Sequence, residues 1–258
     1  MTSLFVVSDV HGYVDDLRQA LAEAGLVAAD GGWTGGDAQL WVLGDLLDRG
    51  PDGVGAIDLV RALQQQAPDQ VHVLMGNHEA LALGYKLFPR SRFGEVWAVN
   101  GGHESDQEHL GHDHVSWIRS LPVVGRHGDY LLMHSDTTEY LEWGDSVDDI
   151  NQTVGSLLAD DDDAEAHWEV FASLTSRYDF ARAGGARVAQ DLLAALGGRC
   201  IVHGHSIIGT LTGQPSHEIT GPIAYADGQV VAIDGGRYDG GPLLLVELTE
   251  TPSPSPDA

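Results

Sequence analysis

An α/β fold follows from two observations. Apolar runs of four or five residues recur along the chain, and each closes on a short polar turn. The first three runs are also separated by stretches of helical periodicity, the alternation expected of an open α/β sheet. In such sheets ligands gather beyond the carboxyl ends of the strands, so the residues closing each run carry the functional information.

Leu4-Phe5-Val6-Val7 reads as the first strand and ends at Ser8-Asp9-Val10-His11-Gly12. Val14, Leu17, Leu21 and Ala24 then recur at helical spacing, and Gly25 stops the helix. The Gly/Asp-rich residues 30–38 form a turn before the next strand, Leu40-Trp41-Val42-Leu43. That strand ends in Gly44-Asp45-Leu46-Leu47-Asp48-Arg49-Gly50-Pro51, which offers two carboxylates and a guanidinium in a turn punctuated by Gly and Pro. Carboxylates suit hard divalent cations, and Arg is the preferred bidentate partner of phosphate.

A second amphipathic helix is marked by Ile57, Val60 and Leu63 and closes near Pro68. Val71–Met75 is a third strand, ending at Gly76-Asn77-His78-Glu79. From Leu81 to Leu121 the pattern weakens; His103, His109, His112 and His114 lack a strand-end setting there and read as a solvated loop. Tyr130–Met133 ends at His134-Ser135-Asp136, and the strand Arg199–Val202 ends at His203-Gly204-His205. Between them, Val170, Phe171 and Leu174, then Val188, Leu192 and Leu193, mark covering helices with Arg177 and Arg182 in the connection. Asp160–Asp163 reads as an exposed acidic loop, because the interleaved spacing of a calcium loop is missing.

The closing runs Ile223–Ala226, Val230–Ile233 and Leu243–Leu248 are joined by Asp227-Gly228 and Asp234-Gly235-Gly236, as antiparallel hairpins would be. Residues 1–250 are expected to form one domain with a helical insertion at 137–195, and the Pro/Ser-rich tail 251–258 to be disordered.

The 258 residues carry a net charge of −26, from 13 Lys+Arg against 39 Asp+Glu. Nucleic acid and anionic membranes are therefore disfavoured partners, and a phosphate ligand would need local cations to overcome the field. The single cysteine, Cys200, excludes an intramolecular disulfide. With no leader-like or membrane-length apolar segment, a soluble cytoplasmic protein is expected.

Five strand ends thus supply Asp9 and His11, Asp45, Asn77 and His78, His134, and His203 and His205. Imidazole with carboxylate and amide oxygen suits manganese, iron or zinc, and the absence of thiolates argues against a purely structural zinc site. Asp-x-His-Gly, Gly-Asp-x-x-Asp-Arg-Gly, Gly-Asn-His-Glu, a lone strand-end His and a late His-Gly-His together resemble the calcineurin-like metallophosphoesterase superfamily. Asp48-Arg49-Gly50 and Asn77-His78-Glu79 point to its phosphoprotein phosphatase branch.

The resemblance implies a four-layer α/β/β/α sandwich of two mixed sheets flanked by helices. It also implies two divalent metal ions, manganese first, with iron or zinc as alternatives. Carried over by motif, Asp9, His11, Asp45 and His205 would hold one metal and Asp45, Asn77, His134 and His203 the other. His78 would be the general acid with Asp48 orienting it, Arg49 and Asn77 would contact the phosphate, and Arg177 is the choice for a second phosphate-binding Arg. Glu79 reads as support for the site. Asp136, unusual at its position, is expected at the rim, paired with a nearby Arg, the alternative being that it disfavours highly anionic substrates.

The implied activity is hydrolysis of phosphomonoesters, in a phosphorylated protein or a small molecule, by metal-activated water, as in a serine/threonine-type protein phosphatase. The alternative is a nucleotide or dinucleoside polyphosphate hydrolase of the same superfamily. His11 leans away from the symmetrical dinucleoside tetraphosphatases, which as a group carry a different residue there. A phosphodiesterase fits Asp48-Arg49 less well, and a non-catalytic scaffold would have lost ligands that this chain keeps.

Overall fold

The computed structural model describes residues 3–248, so the tail at 251–258 lies outside the described residues. Two mixed sheets stack face to face between helices. The first has the order β3-β2-β1-β9, built from β1 (Leu4–Val7), β2 (Gln39–Val42), β3 (Val71–Val73) and β9 (Leu245–Leu248). The second has the order β4-β5-β6-β8-β7, from β4 (Val124–His127), β5 (Tyr130–Met133), β6 (Cys200–His203), β7 (Ile223–Tyr225) and β8 (Val230–Ala232). Within the first sheet β1, β2 and β3 are parallel; within the second β5, β6 and β8 are.

Strand alternation sorts the side chains into layers. Leu4, Val6, Trp41, Leu43, Tyr130, Leu132, Val202 and Val246 fill the space between the sheets. Their neighbours Val7, Leu40, Val42, Leu131, Met133 and Ile201 face the helices instead. Trp41 reaches across so closely that a Cβ on Gly125 of β4 would lie 2.2 Å from its ring, so only glycine allows the sheets to meet there.

Helices α1 (Val14–Glu23) and α2 (Gly53–Gln66) are the crossovers of the first sheet, and α2 packs on β3. Next come α3 (Asn77–Leu87), α4 (Arg92–Val99), α5 (Glu104–His109) and α6 (His112–Arg119). The weakly patterned stretch 81–121 is therefore helical. Every residue from Asn77 to Gly84 is buried, so α3 has no polar face to reveal its period. Helices α7 (Val147–Leu157) and α9 (Gly185–Leu196) pack on β4 and β6, while α8 (Ala164–Thr175) lies on α3. A single turn, α10 (Ile208–Thr212), follows β6.

One expectation about the closing strands is corrected. Asp227-Gly228 does turn the antiparallel pair β7–β8, with Ala226 and Asp227 at positive φ. Asp234-Gly235-Gly236 does not close a hairpin: the chain leaves the second sheet and β9 pairs antiparallel with β1 in the first. The edge of the first sheet beside β1 needed a partner, and β9 supplies it. Among the described residues no helix is long and apolar enough to cross a membrane.

Candidate metal centre

The two sets of parallel strands point their carboxyl ends the same way, and the ladder hydrogen bonding continues into the loops. His11 N donates to Asp45 O (2.8 Å) and Gly204 N to His134 O (2.9 Å). The sheets are tied together by His205 N, which donates to Asp9 Oδ2 at 2.8 Å. Gly204 makes that approach feasible, because a Cβ there would sit 2.2 Å from the same carboxylate oxygen.

Turning so many side chains into one space strains the backbone. Asp9, His11, Asp45, Asp48, Arg49 and His205 hold φ values of 45° to 66°, and Tyr178 holds 74°. Each such non-glycine residue costs about 1 kcal/mol or more, and such strain clusters where a site demands it. Glu79, fully buried in the first turn of α3, holds the central loop. Its carboxylate accepts from Asp45 N and Leu46 N (2.7 Å each), Gly76 N (2.9 Å) and Leu47 N (3.3 Å). Asp106 of α5 does the same further on, accepting from Asp48 N (3.3 Å) and Gly53 N (3.1 Å).

Among the described residues, two groups of ligand-type side chains result. His11, Asp45 and His78 offer atoms within 4.8 Å of one another, as do Asp45, His134 and His205. Asp45 belongs to both: its Oδ2 lies 3.7 Å from His11 Nε2 and its Oδ1 lies 3.4 Å from His134 Nε2. Asp9 Oδ1 joins the first group at 3.9 Å from His11 Nε2, and Asn77 Oδ1 joins the second at 2.9 Å from His134 Nε2.

The donor set fits cations. Burial, with the nearby His78 and Arg49, pulls His11 well below the usual imidazole range; burial likewise lowers His134 and, strongly, His205. Neutral His11 and His134 donate from Nδ1 to the carbonyls of Leu47 (3.0 Å) and Leu43 (2.8 Å), and His205 donates from Nε2 to Thr175 O (3.0 Å). Each ring therefore keeps a lone pair on its other nitrogen. Burial and the carboxylates of Asp9 and Glu79 push Asp45 well above its ordinary value. Lone pairs and crowded carboxylates converge here, which is the situation a divalent cation relieves.

The structure redistributes the two final histidines. His205 sits with Asp45 and His134, not with the His11 group. His203 lies in neither group: it is buried with Nδ1 on Gly204 O and Nε2 on the Tyr225 hydroxyl, 2.8 Å each. As the last residue of β6, His203 points to the opposite face of the strand from Val202, toward the Tyr225 hydroxyl, whereas His205 follows the turn to Asp45 and His134. Asp136 is a further correction. It is fully buried rather than at the rim, and among the described residues its carboxylate is held by Ser206, Tyr178 and Tyr225 rather than an Arg.

Within the first group, His78 Nδ1 lies 2.7 Å from Asp48 Oδ2, and its Nε2 is buried without a hydrogen-bond partner among the described residues. Trp97 Nε1 donates to the other Asp48 oxygen at 3.3 Å. Arg49 is half-buried, with Nε on Asn100 O (3.4 Å), Nη1 3.4 Å from His11 Nε2 and its guanidinium 3.9 Å over the Tyr238 ring. Arg177 lies close enough to depress His78, His134 and His205, whereas Arg182 is an exposed partner of Asp179. His109, His112 and His114 stay outside, on local or surface partners, whereas His103 turns its ring to Ser105 but gives its backbone N–H to Asp48.

Sequence reasoning missed Trp97, Asp106, Tyr238 and Asp234. Asp234 closes the apolar run Val230–Ile233 as the other strand ends do, so its signal was present. It is buried with Oδ2 unpartnered, and burial and Asp9 push its carboxyl well above the ordinary value. Trp97, Asp106 and Tyr238 reach the site from distant segments and carry no local signal.

Known proteins resemble this chain to different extents. A symmetrical bis(5'-nucleosyl)-tetraphosphatase of Vibrio parahaemolyticus is 27% identical over 51% of this chain, which spans 43% of its length. Serine/threonine-protein phosphatase 1 of Salmonella typhimurium is 30% identical over 56% of this chain, spanning 64% of its length. The solved cold-active protein-tyrosine phosphatase of a psychrophilic Shewanella covers 97% of this chain and 76% of its own at TM-score 0.72 and 24% identity, a likeness of fold. The calcineurin-like phosphoesterase model matches residues 2–209, from before the first strand end to beyond His205. With its two mixed sheets and shared Asp45, the chain belongs to the calcineurin-like phosphoesterase family.

Proposed function

We propose that this chain is a dinuclear metal-dependent phosphoesterase that hydrolyses phosphomonoesters, acting as a serine/threonine-type protein phosphatase. The carrying observation is His78: buried, backed by Asp48 at 2.7 Å, with an unpartnered Nε2 4.0 Å from Asp45 Oδ2. That is the geometry of a proton donor to a departing oxygen. Asp9, His11 and Asp45 would hold one cation, and Asp45, Asn77, His134 and His205 a second; manganese suits this set, with iron or zinc as alternatives. Bound there, the cations would supply Lewis acidity toward phosphate and lower the pKa of water toward neutrality.

The protein's own groups supply the rest. Arg49, held by Asn100 and Tyr238, would present its guanidinium to one phosphate oxygen, and Arg177, near enough to depress His78, His134 and His205, would be the second cation toward it. The first turn of α3 gives its His78 N–H to Asp45 Oδ1 (2.9 Å), which steadies the carboxylate shared by the two groups. Burial pushes Asp48 up to about 7 and pulls His78 down. Below that pH the pair keeps two protons. Asp48 donates one to Nδ1, which leaves the other on Nε2, facing the leaving oxygen.

The second reading, a dinucleoside polyphosphate hydrolase, is favoured by the name of the Vibrio relative. Metal-reconstituted protein assayed side by side on phosphopeptides, nucleotides and dinucleoside polyphosphates decides between them. Highest kcat/KM on a phosphopeptide supports the phosphatase; a preference for the dinucleoside compound overturns it.

A further inference from the structure

Asp136 is a fully buried carboxylate two residues beyond His134, and the mechanism above does not use it. Its Oδ1 accepts from the Ser206 hydroxyl (2.5 Å) in the turn after His205, its Oδ2 accepts from Tyr178 N (3.0 Å), and the Tyr225 hydroxyl also bonds the carboxylate. Its backbone carbonyl accepts from Asp179 N, also at 3.0 Å. The tie is reciprocal. Asp179 Oδ2 accepts from Thr138 N (2.8 Å) and from the hydroxyls of Thr137 and Thr138 (3.1 Å each). Two loops some forty residues apart in sequence are thus clasped through two successive backbone N–H groups.

What the clasp holds is strained. Tyr178 sits at φ 74°, a left-handed conformation unfavourable to a residue with a Cβ. A chain free of the clasp would return Tyr178 to negative φ and swing the residue before it. That residue is Arg177, half-buried, whose Nε donates to Thr175 O (3.4 Å), the same carbonyl that accepts from His205 Nε2 (3.0 Å). We propose that Asp136 is a positioning residue, which sets Arg177 against the phosphate site by holding Tyr178 in its left-handed conformation. The inference rests on the phosphatase reading, in which Arg177 contacts phosphate.

The test is calorimetric binding of inorganic phosphate to the metal-loaded full chain, alongside KM and kcat for an aryl phosphate. Asp136→Ala is expected to weaken phosphate binding about tenfold and raise KM more than it lowers kcat, the scale of one misplaced charge-assisted contact. In an Arg177→Ala background the same change should add almost nothing. Asp136→Ala/Tyr178→Gly should recover part of the affinity, because glycine adopts positive φ without help. Asp136→Asn, the variant to use if Asp136→Ala fails to fold, should stay within about threefold of wild type. Its amide oxygen still accepts from Tyr178 N, and the Ser206 hydroxyl can turn to accept instead of donate. A purely structural role would lower thermal stability and leave phosphate affinity unchanged. That result, or additive losses with Arg177→Ala, overturns the inference. Wild-type protein that neither binds phosphate nor turns over the ester overturns the phosphatase reading, and the inference with it.

Discussion

Asp48 and His78 form a closed pair: Oδ2 and Nδ1 lie 2.7 Å apart, both side chains are buried, and the other Asp48 oxygen accepts from Trp97. The consequence is a dependence on leaving group. Removing a positioned general acid costs about 10²–10⁴-fold, and only where the departing oxygen needs a proton. His78→Asn should therefore slow hydrolysis of phosphoserine far more than that of a nitrophenyl phosphate, with metal content near wild type. Equal slowing on both substrates would assign His78 to phosphate binding.

The same pair sets a pH dependence. With Asp48 at about 7, raised by burial, its proton leaves as pH climbs through neutrality, and Nδ1 then keeps the remaining proton. Turnover of phosphoserine should fall above about pH 7, while nitrophenyl phosphate turnover should lack that limb. A shared alkaline limb would place the ionisation elsewhere.

Stability of the metal-free protein should carry the mark of Asp48 as well. An unfolded Asp titrates near about 3.9, so between about pH 4 and 7 the folded state binds a proton that the unfolded chain has lost. Stability is then greatest on the acid side of this window and falls as pH rises through it, by at most about 4 kcal/mol from this group. Urea titrations across the window should show a shallower slope in Asp48→Asn than in wild type. Identical slopes would refute the assignment.

Glu79 accepts four backbone N–H groups from buried surroundings, so its loss orphans four donors. Glu79→Ala should destabilise the fold by roughly 3 kcal/mol or more, at about 1–3 kcal/mol for each unsatisfied donor before relaxation. Because those donors flank Asp45, metal retention after dialysis should fall too. A stability loss under 1 kcal/mol would mean that the loop holds its shape without Glu79.

Metal analysis separates the strand-end residues. Asp45 presents one oxygen to each group, so Asp45→Asn should deplete both cations. His205→Ala should deplete one. His203→Gln should retain both after dialysis, because the buried ring turns its nitrogens to Gly204 and Tyr225. Loss of metal from His203→Gln comparable to that from His205→Ala would restore His203 as a ligand.

The sequence by itself determined which residues could meet. Alternating strand and helix periods, each strand closing on Asp, Asn or His, placed Asp9, His11, Asp45, Asn77, His78 and His134 at one edge, because that chemistry is local to each turn. It could not decide how those residues group in space. His203 and His205 are two residues apart and chemically identical, and only the left-handed turn at His205, with its N–H on Asp9 across the sheets, selects which one faces inward. Helix α3 shows no period because its first eight residues, Asn77 to Gly84, are all buried and leave no polar face there. Trp97, Asp106 and Tyr238 reach the site from distant segments, and contacts of that kind are fixed by packing. Asp136 shows the same limit most sharply. A carboxylate beside a strand-end histidine reads as a charged rim until the chain folds Ser206 and Tyr178 over it, and burial turns it into a clasp.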